Sequence, residues 1–268
     1  MDPKNTHDNK IAVFFLTDKI TSAIQARFNR IQHDVSDFAD CFFAKQTEGD
    51  DFGRTLDVRS LYSFNRENLP SQLGYPFLDD GHIVPGCSHY PLTLFSRSHH
   101  YDYYWLVEYD VEFSGDWSNI IALPMRETFA FAASHFRSYS EDPNWYWWHS
   151  FQFPILDRMR VDYIKYLWTS FNPIFCVSSK ALKWIDFSQR MGCRGHNEVL
   201  LINLIKRRFW KTVDLFERGY ISKSGLTPDL PLETLSTLRW RPSISADEYK
   251  DRLQPNMLYH PIKDDLPQ

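Results

Sequence analysis

Residues 11–16 form an unbroken apolar run, the pattern of a strand buried on both faces of a parallel sheet. Thr17 and Asp18 open a polar connection. Ile24, Phe28 and Ile31 then recur at helical spacing, which predicts a helix over 21–31. Strand, short loop and helix make the first half of a βαβ unit. A second apolar run predicts a strand over 38–44, and the polar stretch 48–86, broken by Gly and Pro, predicts loops with short elements. A short helix over 90–96 leads to the clearest strand of the chain, 103–111, which begins apolar and ends acidic. Beyond it the pattern predicts a helix from 116, a strand over 128–133, an aromatic loop over 140–153 and a helix over 158–168. A strand over 173–178 and helices over 179–187 and 198–210 follow. The C-terminal stretch has many prolines, little periodicity and no internal repeat. Apolar strands alternating with amphipathic helices predict an α/β fold of the Rossmann-like kind. It is one domain with a mostly parallel, twisted central sheet, helices on both faces and the 103–111 strand near its middle.

At 268 residues the chain is long enough for one large domain with a full core. We read it as residues 10–263, between a disordered polar tail (1–9) and an acidic tail (264–268). A net charge of −4 provides no overall basic field for a nucleic-acid backbone, which excludes that partner class. The most basic cluster, Lys206-Arg207-Arg208, reads as a solvated helix face. Four cysteines, widely spaced and without a CxxC pair, argue against structural zinc and for free thiols in a reducing compartment. The apolar run at 11–16 is too short for a signal peptide or a membrane span. The expectation is a cytoplasmic protein with no transmembrane segment, which leaves room for peripheral membrane contact. Aromatic residues reach 16%; their faces suit sugar rings and bases, and they also fill cores.

Chemistry concentrates in four places. Glu108, Asp110 and Glu112 are spaced by two, so an extended chain puts them on one face. They lie at the carboxyl end of an apolar strand, where open parallel sheets bind ligands. Carboxylates there suit a hard divalent cation, Mn2+ or Mg2+, that shares its coordination with phosphates. Glu198 follows Gly195-His196-Asn197 and lies in the first turn of an apolar helix. That is an ordinary place for an acid, and also a place for a general base with His196 assisting. His260 offers a nitrogen ligand and Lys263 a cation for phosphate oxygens. Trp145, Tyr146, Trp147, Trp148 and His149 crowd one loop and cannot all face a single core, so some of them line a pocket, where they could stack on a sugar, or pack under a lid. The adjacent His99 and His100 lack the helical spacing of a metal pair.

The order of these parts resembles the GT-A glycosyltransferase superfamily. The matching residues are 11–18, Glu108-Tyr109-Asp110, Gly195-His196-Asn197-Glu198 and His260. The resemblance implies a DxD-type metal site, with Glu108 in place of the first Asp, and a nucleotide-diphosphate sugar donor. It implies Asp110 and His260 as metal ligands, and Thr17, Asp18, Glu108 and Lys263 as donor contacts. Glu198 would be the base of an inverting, hexosyltransferase-like reaction on a glycan or other hydroxyl acceptor, such as occurs in polysaccharide biosynthesis, and on this reading Trp145, Trp147, Trp148 and His149 would bind the acceptor. Two other classes compete. A nucleotidyltransferase that makes nucleotide-sugars usually needs a Gly-rich phosphate loop after its first strand, and Thr17-Asp18-Lys19 has no glycine. A non-catalytic carbohydrate-binding protein would not need acids at a strand end or a helix start.

Overall fold

The computed structural model describes residues 9–47, 60–78, 86–158, 162–222, 236–251 and 253–263. Residues 1–8 and 264–268 of the expected tails, and 48–59 and 79–85 of the expected loop stretch 48–86, lie outside these residues. A seven-stranded sheet forms the centre, in the order β3-β2-β1-β4-β7-β6-β8. Its strands are β1 (Ile11–Thr17), β2 (Ala39–Thr47), β3 (Leu61–Asn65), β4 (Tyr103–Glu108), β6 (Phe131–Ser138), β7 (Trp168–Ser178) and β8 (Thr212–Asp214). All pair in parallel except β7, which runs antiparallel to both neighbours, β4 and β6.

The alternation along each central strand builds two cores. On β1, Ala12 and Phe14 face one cluster, while Ile11, Val13 and Phe15 face the other; on β4, Tyr104 and Leu106 oppose Tyr103, Trp105 and Val107 in the same way. The first core is covered by α2 (Leu69–Leu73), α3 (His89–Ser98), α7 (Ser179–Arg190) and α8 (Asn197–Lys206), the second by α1 (Ser22–Val35), α4 (Ser118–Ile121) and α5 (Leu123–Arg126). Caps fix where the helices begin. Thr21 accepts a hydrogen bond from the Ile24 amide, and Ser178 from that of Ala181. Trp105 is fully buried and donates its Nε1–H to the Ile121 carbonyl at 3.1 Å, which satisfies its one polar group. Four cysteines are free and buried. No helix among the described residues is long and apolar enough to cross a membrane.

Three boundaries depart from the sequence pattern. β4 stops at Glu108, because the Val111 amide turns back to the Glu108 carbonyl. In the stretch expected to be a helix over 158–168, a short helix, α6 (Pro154–Arg158), includes only the first residue, Ile164–Tyr166 is a single 3-10 turn, and β7 has begun by Trp168. The helix expected to reach Trp210 ends at Lys206, where Arg207 to Phe209 fold into a turn and Phe209 takes φ +54°.

The chain beyond β8 supplies short pieces. β5 (Glu112–Phe113) pairs antiparallel with β10 (Leu258–Tyr259), and β9 (Ile244–Ser245) pairs in parallel with β11 (Ile262–Lys263). These pairings lay the C-terminal segment over the carboxyl end of β4.

Candidate functional site

The turn after β4 is anchored from α1. Arg27 donates Nε to Glu112 Oε1 at 2.8 Å and Nη1 to the Tyr109 carbonyl at 3.3 Å, and Arg30 reaches the Phe113 and Gly115 carbonyls. Glu112 is therefore the partner of two arginines and does not share a face with Glu108 and Asp110, contrary to the spacing argument. The strand ends before it, and the turn rotates it toward α1.

Asp110 is buried, and its backbone carbonyl accepts from the Ile262 amide at 2.8 Å. This brings His260 Nε2 to 3.5 Å from Asp110 Oδ1. One oxygen atom from each of Glu108 and Asp110 and one ring nitrogen of His260 all lie within 4.8 Å of one another. The other histidine nitrogen, Nδ1, is 2.7 Å from the Arg239 carbonyl. A carbonyl can only accept, so Nδ1 carries the proton and Nε2 presents its lone pair toward Asp110. Asp110 Oδ1 is buried without a hydrogen-bond partner. An orphaned carboxylate oxygen facing an imidazole lone pair is an arrangement a divalent cation would satisfy.

The charge balance is tight. Burial raises the Glu108 carboxyl to about 8, with Asp110 adding to the rise and Lys263 opposing it. Burial lowers His260, partly offset by Asp110. Lys263 donates to Asp110 Oδ2 and to the Tyr109 hydroxyl, the latter at 3.1 Å. Burial would lower its ammonium, but the bond to Asp110 holds it above its ordinary value.

Two cavities meet at Glu108 and Gly86. The first, about 450 Å³, is bordered by Thr17, Asp18, Gln46, Arg66, Ser88 and Tyr109. Thr17 thus lies at the same sheet edge as Glu108, but its hydroxyl is already used by Lys19, whose carbonyl and amide it bonds at 2.7 and 3.2 Å. Asp18 is exposed on the same wall. The second cavity, about 660 Å³, is bordered by His260, Glu198, His196, Trp145, Trp147 and Trp240, among others.

Glu198 is fixed by the start of α8. His196 is the N-cap, and its Nδ1 accepts from the Glu198 amide at 3.4 Å, with the Glu198 carboxylate 3.6 Å away. The His196 ring stacks on Trp147 at 4.6 Å and 17°, and burial lowers it to about 4, so it is neutral at pH 7. Gly86 makes this possible: its φ is +79°, and a Cβ there would lie 1.9 Å from His196 Nε2.

The aromatic loop divides. Trp145 and Trp147 border the second cavity. Trp148 is fully buried, its Nε1 donating to the Asp142 carbonyl at 2.7 Å, and it offers no face to the cavity. His149 is exposed and is not part of the cavity wall. A 3-10 turn, Tyr146–Ser150, sends consecutive side chains in different directions. Four residues of the site have no sequence signal. Trp240 is 63% exposed beside the second cavity. Arg239 orients His260 through its backbone, Gly86 depends on its fit to His196, and Asn172 has a buried amide without a partner in the wall of the second cavity. None belongs to a motif, and each acquires its place through contacts distant in sequence.

No family model and no curated protein matches the sequence. Among solved structures, the galactosyltransferase LgtC in complex with donor and acceptor sugar analogues is 11% identical over 93% of this chain and 86% of its own, with a TM-score of 0.41. Glucosyl-3-phosphoglycerate synthase from Mycobacterium tuberculosis, in complex with Mn2+, uridine diphosphate and glucosyl-3-phosphoglycerate, is 14% identical over 79% of this chain and 75% of its own, with a TM-score of 0.37. A mycobacterial protein is 15% identical with a TM-score of 0.44, over 77% of this chain and 66% of its own length.

Proposed function

We propose that the protein is a metal-dependent glycosyltransferase that moves a sugar from a nucleotide-diphosphate donor to a hydroxyl acceptor. The observation that carries this reading is the cluster of Glu108, Asp110 and His260 beside the junction of two cavities. One cavity would take the nucleotide and the other the acceptor. Asp110 and His260 would hold a divalent ion, Mn2+ or Mg2+. Bound there, the ion would neutralise the diphosphate as it departs.

The chain's own groups fit the remaining work. Thr17 and Asp18 line the nucleotide side, and Glu108 faces both cavities, where it can accept from a ribose hydroxyl. Lys263 is placed to shift from Asp110 to a phosphate oxygen. Glu198 takes the proton from the acceptor hydroxyl. That oxygen forms a bond to the anomeric carbon while the bond to the phosphate oxygen breaks, and the electron pair leaves on the diphosphate. Attack on the face opposite the leaving group inverts the anomeric centre. Trp145 and Trp147 would hold the acceptor.

Calorimetric titration with nucleoside diphosphates, with and without Mn2+, tests the reading. Binding should require the metal, and Asp110→Asn should weaken it at least tenfold while leaving the thermal unfolding cooperative. Metal-independent binding that ignores this substitution would sink the proposal. Tight binding of a nucleoside triphosphate together with a sugar phosphate would favour a nucleotidyltransferase instead.

A further inference from the structure

The edge of the sheet opposite the candidate site carries a surface that the proposed transfer does not use. The turn from α8 into β8 reads Lys206-Arg207-Arg208-Phe209-Trp210-Lys211. β8 begins level with the start of β6, at the amino-terminal edge of the parallel strands, so this turn points away from the cleft. Phe209 is 96% exposed and holds φ +54°. A left-handed residue just past a helix end is ordinarily Gly or Asn, because a side chain there is strained. A phenylalanine in that conformation gains no burial within this chain to offset the strain. The ring is presented to something else.

Its surroundings indicate what. Arg208 lies over the rings of both Trp184 and Trp210, at 4.9 and 5.6 Å, and Lys180 lies over Trp210 at 5.0 Å. Trp184 in turn stacks on Phe187, which is 54% exposed. The result is a continuous band of aromatic rings interleaved with cations, and not the evenly solvated helix face that the sequence suggests. Half-buried tryptophans, an outward apolar ring and surrounding Lys and Arg are the composition of a surface that sits at a lipid headgroup layer. The chain as a whole is net acidic, so attraction to an anionic surface needs a local basic face such as this one.

We propose that the band around Phe209 docks the protein on anionic lipid bilayers. Phe209 enters the headgroup–acyl boundary while Lys180 and Arg208 meet lipid phosphates; Arg207 turns away from the band, over the rings of Phe151, Phe153 and Tyr163. Charge complementarity selects the occupant, since a neutral protein groove would have no use for the cations, and the projecting ring has no groove of its own to receive a strand of nucleic acid. Docking in this way leaves the two cavities open to the aqueous side.

Co-sedimentation of the full chain with two kinds of vesicle tests this. One is phosphatidylcholine alone; the other contains about a third phosphatidylserine. Binding should appear only with the anionic vesicles and should weaken as salt is raised. Phe209→Gly relieves the backbone strain, so the variant folds at least as well, yet its binding should fall about tenfold. Arg208→Gln should cost about fivefold, the loss expected for one cation near a charged surface. Equal binding to both vesicles, no binding to either, or unchanged binding by Phe209→Gly would overturn the proposal. So would tight binding of a single-stranded oligonucleotide that displaces the vesicles.

Discussion

Glu198 holds its carboxylate 3.6 Å from a neutral His196, on the wall of the cavity that also contains His260. Glu198→Gln keeps the shape and removes the base. Transfer should fall at least about a hundredfold while nucleotide affinity stays within about twofold of the parent. Unchanged transfer would remove Glu198 from the reaction and favour a retaining mechanism. Gly86 is a second residue whose substitution is informative. Gly86→Ala puts a methyl group into the His196 ring and strains a φ of +79°. The backbone alone should cost about 1 kcal/mol or more, measured as a lower Tm. Both residues also show what was legible at this scale. The order of acids, Gly-containing turn and late histidine is visible along the chain, whereas spacing puts Glu112 on the face of Glu108 and Asp110, and adjacency groups Trp148 with its aromatic neighbours. Spacing fails where a strand ends early or a 3-10 turn intervenes. Asn172 and Trp240 left no trace because neither has a periodic or motif neighbour.

At the scale of elements, long apolar segments were readable and short ones were not. β1, β4 and α8 are marked by apolar runs in the sequence, and α1 and α7 by buried positions at helical spacing. β5, β9, β10 and β11 are two residues each, too short for any period, and they are the pieces that hold His260 over Asp110. The direction of β7 was also hidden. Its apolar part, residues 173–177, is buried on both faces and reads the same in either sense. The segment carrying Trp240 joins two tasks. Its Arg239 carbonyl fixes the His260 tautomer, and its Trp240 ring stands at the second cavity. Trp240→Ala should raise KM for a sugar acceptor about tenfold, or about 1.4 kcal/mol, with metal-dependent nucleotide binding unchanged. Steady-state kinetics with acceptor varied at saturating donor would show it. An equal fall in donor affinity would mean that the truncation had disturbed His260 instead.

The whole molecule should be sensitive to acid for a reason spread over both cores. Burial lowers His89 and His135 to about 3 and His196 to about 4, with the nearby Arg137 adding to the effect on His135. Each is neutral when folded and binds a proton near 6.5 when unfolded. The unfolded chain therefore takes up more protons below that value. Stability is fully present above about pH 6.5 and is lost as the pH falls toward 3–4. His89→Gln should flatten this dependence by about 1.4 kcal/mol per pH unit between pH 6 and pH 4, the contribution of one proton. Denaturant midpoints across that range would show it, and an unaltered slope would mean that His89 is not the group that titrates.

The dependence of the Asp110 site on β10 and β11 has a consequence for synthesis. A ribosome adding about 5–20 residues per second releases Asp110 roughly 8–30 s before His260, since about 150 positions separate them. In that interval β1, β2, β3, β4 and their helices have already emerged and can pair, while the carboxylate pair stays without its imidazole. A nascent chain would thus carry much of the scaffold of the nucleotide side while still unable to close the cluster. Any competence that depends on His260 would be acquired late and in one step, when the C-terminal strands settle beside Phe113.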